Sequence, residues 1–71
     1  MVNTQLLEEK VRNSGKKKGY LAKCCGISSM ALYNKTHNRY QFTAEQILTL
    51  SEELNLSSED RELIFFAKEV N

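Results

Sequence analysis

Apolar residues along this chain recur three and four positions apart, and nowhere do they alternate as the residues of a half-buried strand would. The first such run sets Leu6, Leu7 and Val11 on one side of a helix from about Thr4 to Ser14, and Gly15 can end it as a left-handed cap. A short second helix is expected over about Lys17 to Cys25, with Leu21, Ala22 and Cys25 turned inward and Gly26 as its stop. Ser28 or Ser29 then caps a third helix, from about Ser29 to Thr36, because a serine hydroxyl accepts one of the backbone N–H groups a first turn leaves unpaired.

The fourth helix, expected over about 43–54, has the strongest local signal. Thr43 and Gln46 make a capping box, and Phe42 and Ile47 are placed as a hydrophobic staple. Its inward stripe reads Ala44, Ile47, Leu50, Ser51 and Leu54. Ser57 or Ser58 opens a fifth helix over about 58–69, with Glu59 and Asp60 near the positive end of its dipole. Leu63, Phe66, Ala67 and Val70 follow at i, i+3, i+4 and i+7 and are expected to face the core. That assignment turns Phe65 roughly 200° away from Leu63, so Phe65, with Ile64 on the flank, is expected as an exposed contact patch for a homodimer or a partner protein. Five short helices joined by tight turns make one all-α domain, a compact five-helix bundle over residues 1–71.

Composition narrows the class. A chain of 71 residues is near the size at which one core is only marginally stable, and 41% hydrophobic residues suffice for a single core. No apolar run approaches the ~20 residues of a membrane span. The start, "MVNTQLLEEK", lacks the basic and apolar regions of a secretory signal. A cytoplasmic location with reduced cysteines is therefore expected, with no membrane partner.

The net charge of +1 hides a division. Residues 16–40 carry Lys16, Lys17, Lys18, Lys23, Lys35 and Arg39 and no acid, whereas residues 41–71 hold seven acids against Arg61 and Lys68. A basic face for a polyanion, set on an acidic body, is the arrangement this suggests.

Two chemistries compete inside that basic stretch, in "LAKCCGISSMALYNKTHNR". Cys24, Cys25 and His37 are metal-ligand types, but structural zinc needs four ligands, commonly with two to four residues between cysteines. Here the cysteines are adjacent, so on a helix they point about 100° apart, and no fourth Cys or His exists. A vicinal disulfide would strain the helix. No metal and no cofactor are expected; Cys25 reads as a small core residue with Cys24 partly buried beside it. The other chemistry explains more residues. A helix-turn-helix needs a small residue where its helices cross, a glycine in the turn and an apolar anchor on the second helix. Ala22, Gly26 and Leu32 stand in that order, with Leu21 and Ile27 at flanking apolar positions. Gly26 fits because a left-handed turn residue suffers a β-carbon clash in most other types.

On these residues the chain resembles the lambda-repressor-like helix-turn-helix family, which includes phage repressors and Cro proteins. "YLAKCCGISSMALYNK" is similar to that family's motif, and "FTAEQILTLSEELNLSSEDRELIFF" to the tail of its small phage regulators. The resemblance implies a four- or five-helix bundle whose third helix enters the DNA major groove, commonly as a dimer on a palindromic operator. Lys35 departs from the pattern, since the family more often has an apolar residue late in that helix. Either the end of helix three frays, or Lys35 reaches for a phosphate.

The exposed face of helix three is then expected to carry the base-reading residues Ser28, Ser29, Met30, Tyr33 and Asn34. Of these, Asn34 suits a bidentate contact, preferentially with adenine. Met30 can lie against a thymine methyl group, and Tyr33 is as well suited to half-buried packing as to base contact. Lys16, Lys17 and Lys18 before helix two, with Lys35, His37, Asn38 and Arg39 at and after the end of helix three, are expected to hold the DNA backbone. The expected function is a sequence-specific, Cro-like repressor acting on double-stranded DNA. The alternative is a modulator or antirepressor that binds a partner repressor protein, for which the acidic second half is suited. Neither a nucleophile–base pair nor a glycine-rich phosphate loop is present, so no catalysis and no small-molecule substrate are expected.

Overall fold

In the computed structural model, which describes residues 1–67, the elements are α1 (Thr4–Ser14), α2 (Lys18–Cys24), α3 (Ser29–Thr36), α4 (Ala44–Glu53) and α5 (Ser58–Phe65). No strand occurs among the described residues. Four of these helices open on a side chain that accepts a first-turn N–H: Asn3 from Leu6, Ser28 from Ala31, Thr43 from Gln46 and Ser57 from Asp60. At α4 and α5 the reciprocal bond is also present, completing two capping boxes. The expected start of α2 differs: Lys17 is its N-cap and makes no side-chain cap bond.

Three helices end in the same backbone device. After α2, Gly26 (φ 71°) is left-handed; its N–H donates to Lys23 O, and Ile27 N–H donates to Ala22 O. Asn38 (φ 65°) and Asn55 (φ 52°) repeat this after α3 and α4, with Arg39 N–H on Asn34 O and Leu56 N–H on Ser51 O. These are Schellman motifs, which satisfy carbonyls that a helix end would otherwise leave unpaired. Gly15 (φ 72°) closes α1 as the sequence implies.

One core lies between all five helices. It contains Leu7 of α1, Leu21 and Ala22 of α2, Leu32 of α3, Leu50 of α4, and Ile64 and Phe65 of α5, with Leu54 and the N-terminal Val2. Leu6, Val11, Cys25, Ile27, Phe42, Ile47 and Leu56 pack half-buried against it. Residues 2–4 act as a clasp between α3 and α5. Asn3 N–H donates to Ile64 O at 2.7 Å, and Thr4 Oγ1 donates to Thr36 O at 2.7 Å. Val2 exchanges two bonds with the Asn38 amide, at 2.7 and 3.0 Å.

Several expectations are overturned here. Ile64 and Phe65 are not a surface patch: they are 0% and 5% exposed, while Leu63 and Phe66 are 52% and 55% exposed. The inward stripe of α5 runs through Arg61, Ile64 and Phe65, because the clasp bonds to Ile64 and Phe65 meets Phe42 edge-to-face at 5.5 Å. The helix stops at Phe65 instead of running to 69, and Val70 lies outside the described residues. Ala44, expected in the stripe of α4, is its first residue and is exposed. No helix among the described residues is long and apolar enough to cross a membrane.

Candidate nucleic-acid interface

Helix α3 owes its position to the turn before it. Ala22, 1% exposed, lets α2 and α3 approach closely, and Leu32, 5% exposed, anchors α3 in the core. Four residues, 25–28, join the two helices. The start of α2 passes beside the start of α3, since a β-carbon on Gly19 would lie 3.8 Å from Ser29 Oγ.

With Leu32 and Thr36 inward, the outer face of α3 presents Met30 and Tyr33 to solvent, at 67% and 50% exposure, and Ser29 is exposed in the first turn on the side of Leu32 and Thr36. Asn34 is half-buried at the edge of the outer face, and its amide makes no hydrogen bond among the described residues. Ser28 is exposed, but its Oγ is occupied as the N-cap, accepting Ala31 N–H at 3.0 Å. Tyr33 also stacks on His37, with ring centroids 4.2 Å apart. One side of Tyr33 is thus packed while the ring remains half exposed.

The cations expected to hold phosphates divide into two groups. Lys16 Nζ donates to Glu53 O at 2.8 Å and to Glu53 Oε1 at 3.0 Å. Lys18 pairs with Glu8 at 2.8 Å, and that ammonium holds the Glu8 carboxyl below its ordinary range. Lys35 donates to Gln41 O at 3.1 Å and Gln46 Oε1 at 3.0 Å. Helix three therefore does not fray, and Lys35 is tied back to the cap of α4. Asn38 is committed to Val2. These four each have a protein partner, although Lys16, Lys18 and Asn38 remain exposed and only Lys35 is half-buried. Lys17 and Arg39 are exposed and have no ion pair or side-chain hydrogen bond among the described residues. Lys23, which sequence reasoning left out of the phosphate set, is exposed and equally uncommitted. Its one signal was membership of the acid-free stretch.

The cysteines lie at the end of α2, both half-buried free thiols. Burial raises the Cys25 thiol above its ordinary range, with Cys24 adding to the effect. The Tyr20 hydroxyl donates to Glu53 Oε1 at 3.1 Å, and the neighbouring Cys24 thiol and then that carboxylate push it up to about 12. His37 sits instead against Tyr33, and no group of three or more His, Cys, Asp or Glu side chains suited to a metal occurs among the described residues. Comparison of the chain with protein-family models, curated proteins and solved structures finds no match in any of the three.

Proposed function

We propose that this protein binds duplex DNA with sequence preference, laying α3 in the major groove, and acts as a small transcriptional regulator of the repressor type. The observation that carries the reading is the outer face of α3. Met30, Tyr33 and Asn34 stand there, with Ser29 exposed at the first turn, and no core duty consumes their polar groups, inside a stretch of 25 residues with no acid. A neutral, donor-and-acceptor face with cations at its margins is what major-groove readout requires, since phosphates fix the register and base edges give the discrimination. Lys17 and Lys23 on the α2 side and Arg39 beyond the end of α3 supply those cations. The four-residue turn and the capping of α3 by Ser28 hold that face rigid.

Gel shifts on DNA flanking its own gene, against random competitor, test the reading. Asn34→Ala is expected to cost about 1–3 kcal/mol on the preferred site and little on random DNA. If no fragment outcompetes random DNA, the repressor reading fails.

A further inference from the structure

Ser29, Tyr33 and His37 follow at i, i+4 and i+8, one row along α3 that ends just past its last residue. His37 is the C-cap, and its backbone N–H donates to Tyr33 O at 3.0 Å. Helical side chains lean toward the N-terminus, which lays the imidazole back over the phenol, with the ring planes 36° apart. Both rings line an apolar cavity of about 40 Å³ between α1, α2 and α3, together with Leu7, Val11, Leu21 and Leu32. The Tyr33 ring is half exposed, and its hydroxyl makes no hydrogen bond among the described residues. With a void on one side, solvent on another and no polar contact, the phenol is steadied by the imidazole. The His37 side chain is exposed and makes no ion pair or hydrogen bond among the described residues. Glu8 and Lys18 line the same cavity but are paired with each other at 2.8 Å, which leaves the stack as the contact His37 makes.

We propose that, given the DNA reading on which this rests, His37 is a positioning residue for Tyr33: its imidazole holds the phenol ready to meet a base edge in the major groove. Immobilising a free side chain on binding costs affinity, and a ring already held in the free protein spares that cost. The gain falls on the preferred site, where Tyr33 touches a base. It is absent on random DNA, where phosphates carry the contact. A stack needs a ring and no charge, which separates this role from the phosphate contact that His37 suggests in sequence.

Two measurements on the full chain test it. In NMR spectra of the free protein, the Tyr33 ring-proton signals are expected upfield, under the ring current of the imidazole. They should return to ordinary positions in His37→Ala and stay upfield in His37→Phe, which keeps a ring. On the fragment preferred in gel shifts, His37→Ala is expected to lose about three- to tenfold in affinity, with binding to random DNA unchanged. His37→Phe should restore the preference, and neither variant should alter the salt slope. In a Tyr33→Ala background, His37→Ala should cost nothing more. Position 37 is exposed, and matching urea unfolding of the natural chain and both variants confirms that the fold is kept. Equal losses on both DNAs with a shallower salt slope would make His37 a phosphate contact and overturn the proposal. So would a preference unchanged in His37→Ala, a preference lost in His37→Phe as well, or losses that add to those of Tyr33→Ala. Tyr33 signals at ordinary positions in the natural chain would remove the stack itself. If the natural chain prefers no fragment, the DNA reading fails and this role with it, whereas a preference that ignores His37 sinks the role alone.

Discussion

At Asn38 the backbone turns left-handed while the side chain clasps the N-terminal segment through Val2 N and Val2 O. Read in sequence, Asn38 is one polar residue among His37, Asn38 and Arg39 after a basic helix, and a phosphate contact is the natural assignment. The signal that would have separated it is conformational: asparagine tolerates φ > 0 better than most residues, and the chain has no glycine at that helix end. Asn55 is the same case after α4. Gly15 and Gly26 were legible because glycine announces such a position, whereas asparagine does so only weakly. Asn38→Ala loses two part-buried hydrogen bonds, worth about 1 kcal/mol each, and adds left-handed strain of about 1 kcal/mol. Urea unfolding is expected to show a loss of about 3 kcal/mol for Asn38→Ala and a smaller one for Asn38→Gly, which keeps the left-handed turn. Unfolding as in the natural chain, accompanied by weaker DNA binding, would return Asn38 to the phosphate set.

Helices were legible where local chemistry fixes them, and α4 is the clearest example, with both bonds of its capping box present. The register of α5 was not. Two turns of helix carry two possible inward faces, Leu63-Phe66-Ala67 or Ile64-Phe65 with Arg61 one turn before, and helical spacing permits both. The choice is made by partners far away in the chain, Asn3 and Phe42, which no local window contains. Phe65→Ala should therefore cost about 3–5 kcal/mol in thermal or urea unfolding, a large share of a small domain's stability. Leu63→Ala and Phe66→Ala, at exposed positions, should change it little.

The joint between α2 and α4 gives a second check at this scale. Glu53 Oε1 accepts from Lys16 at 3.0 Å and from Tyr20 Oη at 3.1 Å. Cys24, one turn along α2, and then Glu53 raise the Tyr20 hydroxyl to about 12 against an ordinary 10.0, so the folded state binds more protons between those values. Stability from these Tyr20 contacts is complete below pH 10.0 and declines as pH rises through that window. Glu53 and Glu8 act in the opposite sense, lowered first by their bonds to Lys16 and Lys18. What they contribute is present above 4.5 and is lost as pH falls. Melting temperatures of the natural chain and Tyr20→Phe should converge between pH 10.0 and about 12, and a constant difference would remove Tyr20 from the joint.

Across the whole molecule, net charge conceals the organisation, and so does a bare count of lysines. The acid-free stretch carries six cations, which would predict a fall of log K with log salt at a slope of about −5 per bound chain if each neutralised a phosphate. The fold withdraws three. Lys16 and Lys18 are paired to acids of α4 and α1, and Lys35 is bonded to Gln41 O and the Gln46 amide. Lys17, Lys23 and Arg39 remain, for an expected slope of about −3. Ion pairs at exposed sites are weak enough for phosphate to compete, so Lys16 and Lys18 are where a steeper slope would arise. Lys35 is different, because releasing it also strips Gln46 of a partner at the cap of α4. Binding isotherms over a range of salt concentrations should give a slope reduced by about 1 in Lys17→Ala, Lys23→Ala and Arg39→Ala, and unchanged in Lys35→Met. A slope near −5 that falls by about 1 in Lys35→Met would mean that DNA pulls this lysine away from Gln41 and Gln46, and that the free protein does not present its bound-state surface.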